Sequence, residues 1–153
     1  MQANNEIARC IETALYLERK SYDYYHEKYR KLKEHLFRNL LLFLANQEKD
    51  HIKQIDKFKK LLMKKYEFKN KERKIPNFFK HIKRINHRSH EIEILHAAME
   101  LEKNIREFYI KQEEKINEKR IKNFFRRMAK FEDAHYKLLD GLYESFMYVR
   151  LET

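Results

Sequence analysis

The chain has 153 residues, enough for one domain with a sizeable core, and its single Gly and single Pro argue against a turn-rich β fold. A formal net charge of +11 comes with 39% charged residues, and no apolar stretch approaches the roughly 20 residues of a membrane span. One cysteine, Cys10, excludes an internal disulfide and a built-in four-cysteine iron or zinc ribbon.

Met1-Gln-Ala-Asn-Asn-Glu6 carries no basic segment leading into an apolar one, so no secretory signal is expected and the cytoplasm is the expected compartment. Abundant Lys, Glu, Leu, Ile and Arg favour helix throughout. Residues 1–153 are expected to form a single all-α domain.

The first helix is predicted over about residues 5–33. Ile7, Ile11, Ala14, Glu18, Ser21, Tyr25, Leu32 and Leu36 step mostly by three or four, which marks one helical face. Glu18 lies inside that apolar stripe, where a carboxylate needs compensation. The second helix is predicted over about 36–66, with the stripe Phe37, Leu41, Leu44, Glu48, His51, Ile55, Phe58 and Leu62. Glu48 and His51, three residues apart, are neighbours on that face.

Residues 67–88 form a break that contains Pro76. Phe78, Phe79, Ile82 and Ile85 suit a short amphipathic turn that seals a bundle. About 22 residues reach ~70 Å when extended, enough to run back along a 30-residue helix of ~45 Å. So long a connection suits a crossover between two helical hairpins better than a turn between simple antiparallel neighbours. Residues 69–88 hold eight Lys/Arg against Glu72, a local charge of +7. A solvated loop is the expected role, with recruitment of nucleic acid or an acidic protein as the alternative.

The third helix is predicted over about 89–116, with the stripe Leu95, Ala98, Glu102, Ile105, Tyr109 and Ile116. Asn117 lies midway between Glu102 and Glu132, so a bend there would bring the two carboxylates level. The matching midpoint of the first hairpin is Lys33, which has no strong turn signal. The fourth helix is predicted over about 119–148, with the stripe Ile121, Phe125, Met128, Glu132, His135, Leu139, Leu142 and Phe146. Gly141, the only glycine, is expected to mark close packing or a small bend.

The four stripes contain one pattern written twice. Glu48-Lys-Asp-His51 recurs as Glu132-Asp-Ala-His135, 84 positions later, and a lone in-stripe glutamate precedes each copy by 30 residues, Glu18 and Glu102. Ala14 aligns with Ala98, Leu17 with Leu101, Tyr25 with Tyr109, Asn39 with Asn123 and Ala45 with Ala129. A duplicated helical hairpin accounts for this.

Four carboxylates on apolar faces would repel one another and cost several kcal/mol each without a counter-charge. Two divalent cations bring +4 against −4. Carboxylate oxygen with imidazole nitrogen suits iron or manganese better than a soft thiolate-loving metal. One Glu from each of two helices plus Glu-x-x-His from each of the other two is the ligand set of di-iron and di-manganese carboxylate bundles. The expected ligands are Glu18, Glu48, His51, Glu102, Glu132 and His135, with either Glu48 and Glu132 or Glu18 and Glu102 bridging. Tyr25 and Tyr109, two turns beyond a ligand Glu, are either ordinary core tyrosines or groups that hydrogen-bond a ligand or pass an electron or proton.

Ala14-x-x-x-Glu18-x-x-Ser-x-x-Tyr-Tyr25, Ala98-x-x-x-Glu102-x-x-Ile-x-x-Phe-Tyr109 and the two Glu-x-x-His motifs together resemble the ferritin-like superfamily, and within it the rubrerythrin branch. The resemblance covers both hairpins. It implies a ferritin-like four-helix bundle whose two Fe ions reduce hydrogen peroxide or dioxygen, with electrons from an external donor such as rubredoxin, and a homodimer. Two departures stand out. Related proteins usually carry a further glutamate where this chain has Ile105, and a rubredoxin domain with cysteine pairs that this chain lacks. The alternatives are a ferroxidase handling iron and a di-iron oxygenase acting on nucleic acid or a small organic substrate. Related proteins also often place an acid before the motif glutamates, where this chain has Gln47 and Phe131.

Overall fold

The computed structural model describes residues 2–68 and 91–152, and every regular element among them is helical. Helix α1 spans Gln2–Lys28 and runs into a 3₁₀ turn, Tyr29–Lys31. Helix α2 spans His35–Leu62, α3 Glu91–Lys115 and α4 Lys119–Glu152. The predicted crossover, its amphipathic turn and the +7 stretch lie outside the described residues from position 69 on. None of the described helices is long and apolar enough to cross a membrane.

The four predicted helices are present, with shifted ends. α1 stops at Lys28 rather than near 33, and α2 stops at Leu62 rather than 66. Leu36, expected on the buried stripe of the first helix, is 64% exposed. The reason is that α2 begins at His35, so Leu36 belongs to its first turn. There it lies one residue, about 100° of rotation, off the stripe that starts at Phe37.

Contacts within the chain gather it into two compact units. In the first, α1 runs against α2 from Leu41 onward. Glu12 pairs with Lys59 and Glu18 with His51, so the two helices are antiparallel. Ile11, Ala14, Leu44 and Ile55 are fully buried, as the spacing predicts, and so is Leu17.

The second unit joins residues 32–40 to α3 and α4. His96 meets Tyr143 edge to face at 5.0 Å between ring centroids, Arg106 bonds Asp133 at 2.6 Å, and Arg126 bonds Glu113 at 2.6 Å. These contacts also descend one helix as they climb the other. Phe37 packs on Phe146 at 5.1 Å, which attaches the start of α2 to this unit. Leu95, Leu101, Ile105, Ile121, Phe125 and Met128 form its core.

Both hairpin bends are tied by glutamates. Glu34 accepts a hydrogen bond from Phe37 N at 3.0 Å, capping α2. Glu118 accepts one from Ile121 N at 2.9 Å, capping α4. Each satisfies a backbone N–H that the first turn of a helix leaves without an intrahelical partner. The two caps are 84 positions apart, like the rest of the repeat. Lys33 N and Glu34 N both donate to Glu91 Oε1, at 2.9 and 3.2 Å, so the acid that opens α3 holds the first bend. This is how a turn forms at Lys33 without glycine, proline or asparagine.

Gly141 does not mark close packing. It is exposed, and a Cβ placed there would meet nothing within 4 Å. Its carbonyl accepts a hydrogen bond from Ser145 Oγ at 2.9 Å.

Candidate metal centre

Each unit carries one copy of the Glu/Glu-x-x-His pattern, and each copy is buried. In the first unit Glu18 is on α1, and Glu48 and His51 are on α2, with exposures of 0, 0 and 2%. The α2 stripe turns Glu48 and His51 inward between Leu44 and Ile55, both fully buried. His51 Nδ1 lies 3.4 Å from Glu18 Oε2 and 3.4 Å from Glu48 Oε2. One donor atom from each of the three side chains falls within a 4.8 Å span.

The second unit repeats the arrangement. Glu102 comes from α3, and Glu132 and His135 come from α4, with exposures of 0, 0 and 4%. His135 Nδ1 lies 3.5 Å from Glu102 Oε1 and 4.0 Å from Glu132 Oε2. Here too one donor atom from each residue falls within 4.8 Å of the others. The residues expected as ligands are thus brought together in threes.

The donor chemistry fits a cation. Two fully buried carboxylates give each triad a formal charge of −2 when ionised, which one divalent ion balances. The nitrogen-to-oxygen separations of 3.4–4.0 Å are long for charge-assisted hydrogen bonds, which run about 2.7–2.9 Å. Donors that share an ion at about 2.1 Å each are spaced at roughly 3–3.5 Å, which His51–Glu18, His51–Glu48 and His135–Glu102 match. A protonated imidazole would offset only half of a triad's charge.

The surroundings of the triads differ. Beside Glu132, Asp133 bonds Arg106 and Lys137, at 2.6 and 2.8 Å. The hydrogen bond from Lys137, together with that from Arg106, holds the Asp133 carboxyl below the ordinary aspartate range. The Arg106 guanidinium also lies 5.3 Å from the centre of the Tyr136 ring. This tie fastens α3 to α4 one turn from Glu102, and no reading of stripes finds it, because Arg106 and Asp133 sit off the buried face. Its counterparts in the first unit, 84 positions earlier, are Tyr22 and Lys49, which cannot form it.

Tyr25 and Tyr109 are both fully buried. Tyr109 packs against Phe108 and Phe125, at 5.5 and 6.0 Å between centroids, and Tyr25 against Tyr24 at 5.7 Å. Of the other histidines, His35 and His96 are exposed and His26 is half-buried, stacked on Tyr22 at 5.4 Å. Cys10 is half-buried.

A family model described as Rubrerythrin matches residues 10–143. A solved structure, a hypothetical protein from Pyrococcus furiosus, is similar to this chain with a TM-score of 0.71 at 22% identity, over 93% of this chain and 90% of that one. No curated protein matches. The structural likeness shows the fold, an all-α bundle of the ferritin-like four-helix class.

Proposed function

The chain belongs to the rubrerythrin family, and from that premise we propose that it is a di-iron redox protein that reduces hydrogen peroxide or dioxygen. The observation that carries this reading is the pair of buried, charge-matched triads, Glu18/Glu48/His51 and Glu102/Glu132/His135. In the proposal each triad holds one ion of the pair, and manganese is the other metal that suits the donors. Two ferrous ions would supply the two electrons that the O–O bond of peroxide takes up on reduction to water.

The protein's own contribution is to orient and exclude. The carboxylates neutralise the ions, the imidazoles complete each donor set, and the surrounding Leu, Ile and Phe side chains keep bulk water away. Tyr25 and Tyr109 are proposed to hydrogen-bond the ligand carboxylates or to relay an electron or proton. Rubredoxin is proposed as the electron donor, a role that these 153 residues, with one cysteine, do not themselves fill. We place the protein in the cytoplasm as a homodimer.

Stopped-flow oxidation of the diferrous protein tests the reaction. Oxidation by peroxide faster than by dioxygen is expected. Much slower oxidation by peroxide would contradict peroxide reduction and favour an oxidase or ferroxidase.

A further inference from the structure

Ser21 is fully buried, and its Oγ has no hydrogen-bond partner among the described residues. Buried hydroxyls are nearly always paired, and a helical serine has a ready acceptor in the carbonyl one turn back. Ser21 does not use it. It sits three residues after Glu18 on the same face of α1, between Glu18 and Tyr25, both also fully buried.

The internal repeat supplies an independent comparison. The counterpart of Ser21, 84 positions on, is Ile105, which follows Glu102 by the same three residues and is also fully buried. The same place in a hairpin of the same design therefore accepts an apolar side chain. Packing does not require a hydroxyl there, and an unpaired one weakens the fold.

We propose that Ser21 is a positioning residue whose hydroxyl donates a hydrogen bond to a small anionic ligand bound at the Glu18/Glu48/His51 triad. The ligand class is a compact anion with an exposed acceptor atom, such as a hydroperoxide or a pseudohalide. The Glu102/Glu132/His135 triad, with Ile105 at the corresponding place, offers no such donor. The two triads then differ in function: both hold metal, and the first takes the exogenous ligand. This rests on the metal-binding reading above.

The test uses azide as the probe on the iron-loaded, oxidised full chain, with iron content measured for every variant. Ser21→Ala and Ser21→Val are expected to keep wild-type iron, weaken azide binding about tenfold, the worth of one hydrogen bond, and shift the azide charge-transfer band. Ser21→Thr, which matches valine in shape and keeps the hydroxyl, is expected to restore affinity and band position. The metal-free chain gives a second readout: Ser21→Ala should melt at or above the wild-type temperature. Unchanged azide affinity in an iron-replete Ser21→Ala protein would overturn the role of Ser21 and leave the metal site standing. A metal-free Ser21→Ala chain that melts lower, with Ser21→Thr restoring it, would make the hydroxyl structural. A wild-type chain that retains no iron would overturn both readings.

Discussion

Single residues here perform distinct physical tasks that their types alone do not announce. Lys28 closes α1 with its side chain largely buried, and desolvation, reinforced by the nearby Lys31, lowers its pKa from the ordinary lysine value. The folded chain therefore releases this proton at lower pH than the unfolded chain does. Between the two values the unfolded state binds more protons, so Lys28 makes stability rise with pH there. Tyr24, whose ring lies 5.8 Å from the Lys28 ammonium, is shifted upward, mainly by burial. Its contribution is complete below pH 10.0 and is lost only above it. Denaturant melts across the alkaline range below pH 10 should show a rise in stability that Lys28→Met flattens. The capping glutamates give a second prediction at this scale. Glu34→Ala or Glu118→Ala should each cost about 1 kcal/mol in a urea melt, the typical worth of a helix N-cap, and should not change metal content.

The unit of construction is the hairpin, and the duplication reaches past the ligands to the start of each second helix. His35 opens α2 and Lys119 opens α4, 84 positions apart, each behind a capping glutamate. The cross-helix contacts have diverged where chemistry allowed. Glu12 pairs with Lys59 in the first hairpin, and their counterparts His96 and Tyr143 meet as rings in the second. The same backbone approach is filled by an ion pair in one and an aromatic pair in the other. Replacing Glu48 with Leu and His51 with Met together should leave the metal-free chain as stable as wild type or more so, because two buried polar groups give way to apolar ones. It should also remove the metal of the first triad. Thermal melts with and without metal separate the two effects.

Most of this level was legible in the sequence. A carboxylate inside an apolar stripe has few explanations, and every residue of the α2 stripe from Phe37 to Leu62 is buried as its spacing predicts. The bend at Lys33 was not legible, because its acceptor, Glu91, is 58 positions away. The Arg106–Asp133 tie was hidden for a related reason: both residues look like ordinary surface charges until two helices are paired.

At the scale of the whole molecule, four fully buried carboxylates, Glu18, Glu48, Glu102 and Glu132, with a formal charge of −4 when ionised, sit in a chain of net charge +11. Among the described residues Lys28 is the only buried lysine or arginine. Metal loading should therefore raise the melting temperature, since an ion bound only by the folded state stabilises it in proportion to the logarithm of its concentration over Kd. The most direct test is the metal content per chain after anaerobic loading with Fe(II) and desalting. The account predicts about two irons per chain, one per triad, falling to about one in Glu48→Ala. A wild-type chain that emerges without iron would contradict it and would reduce the six residues to a buried polar network.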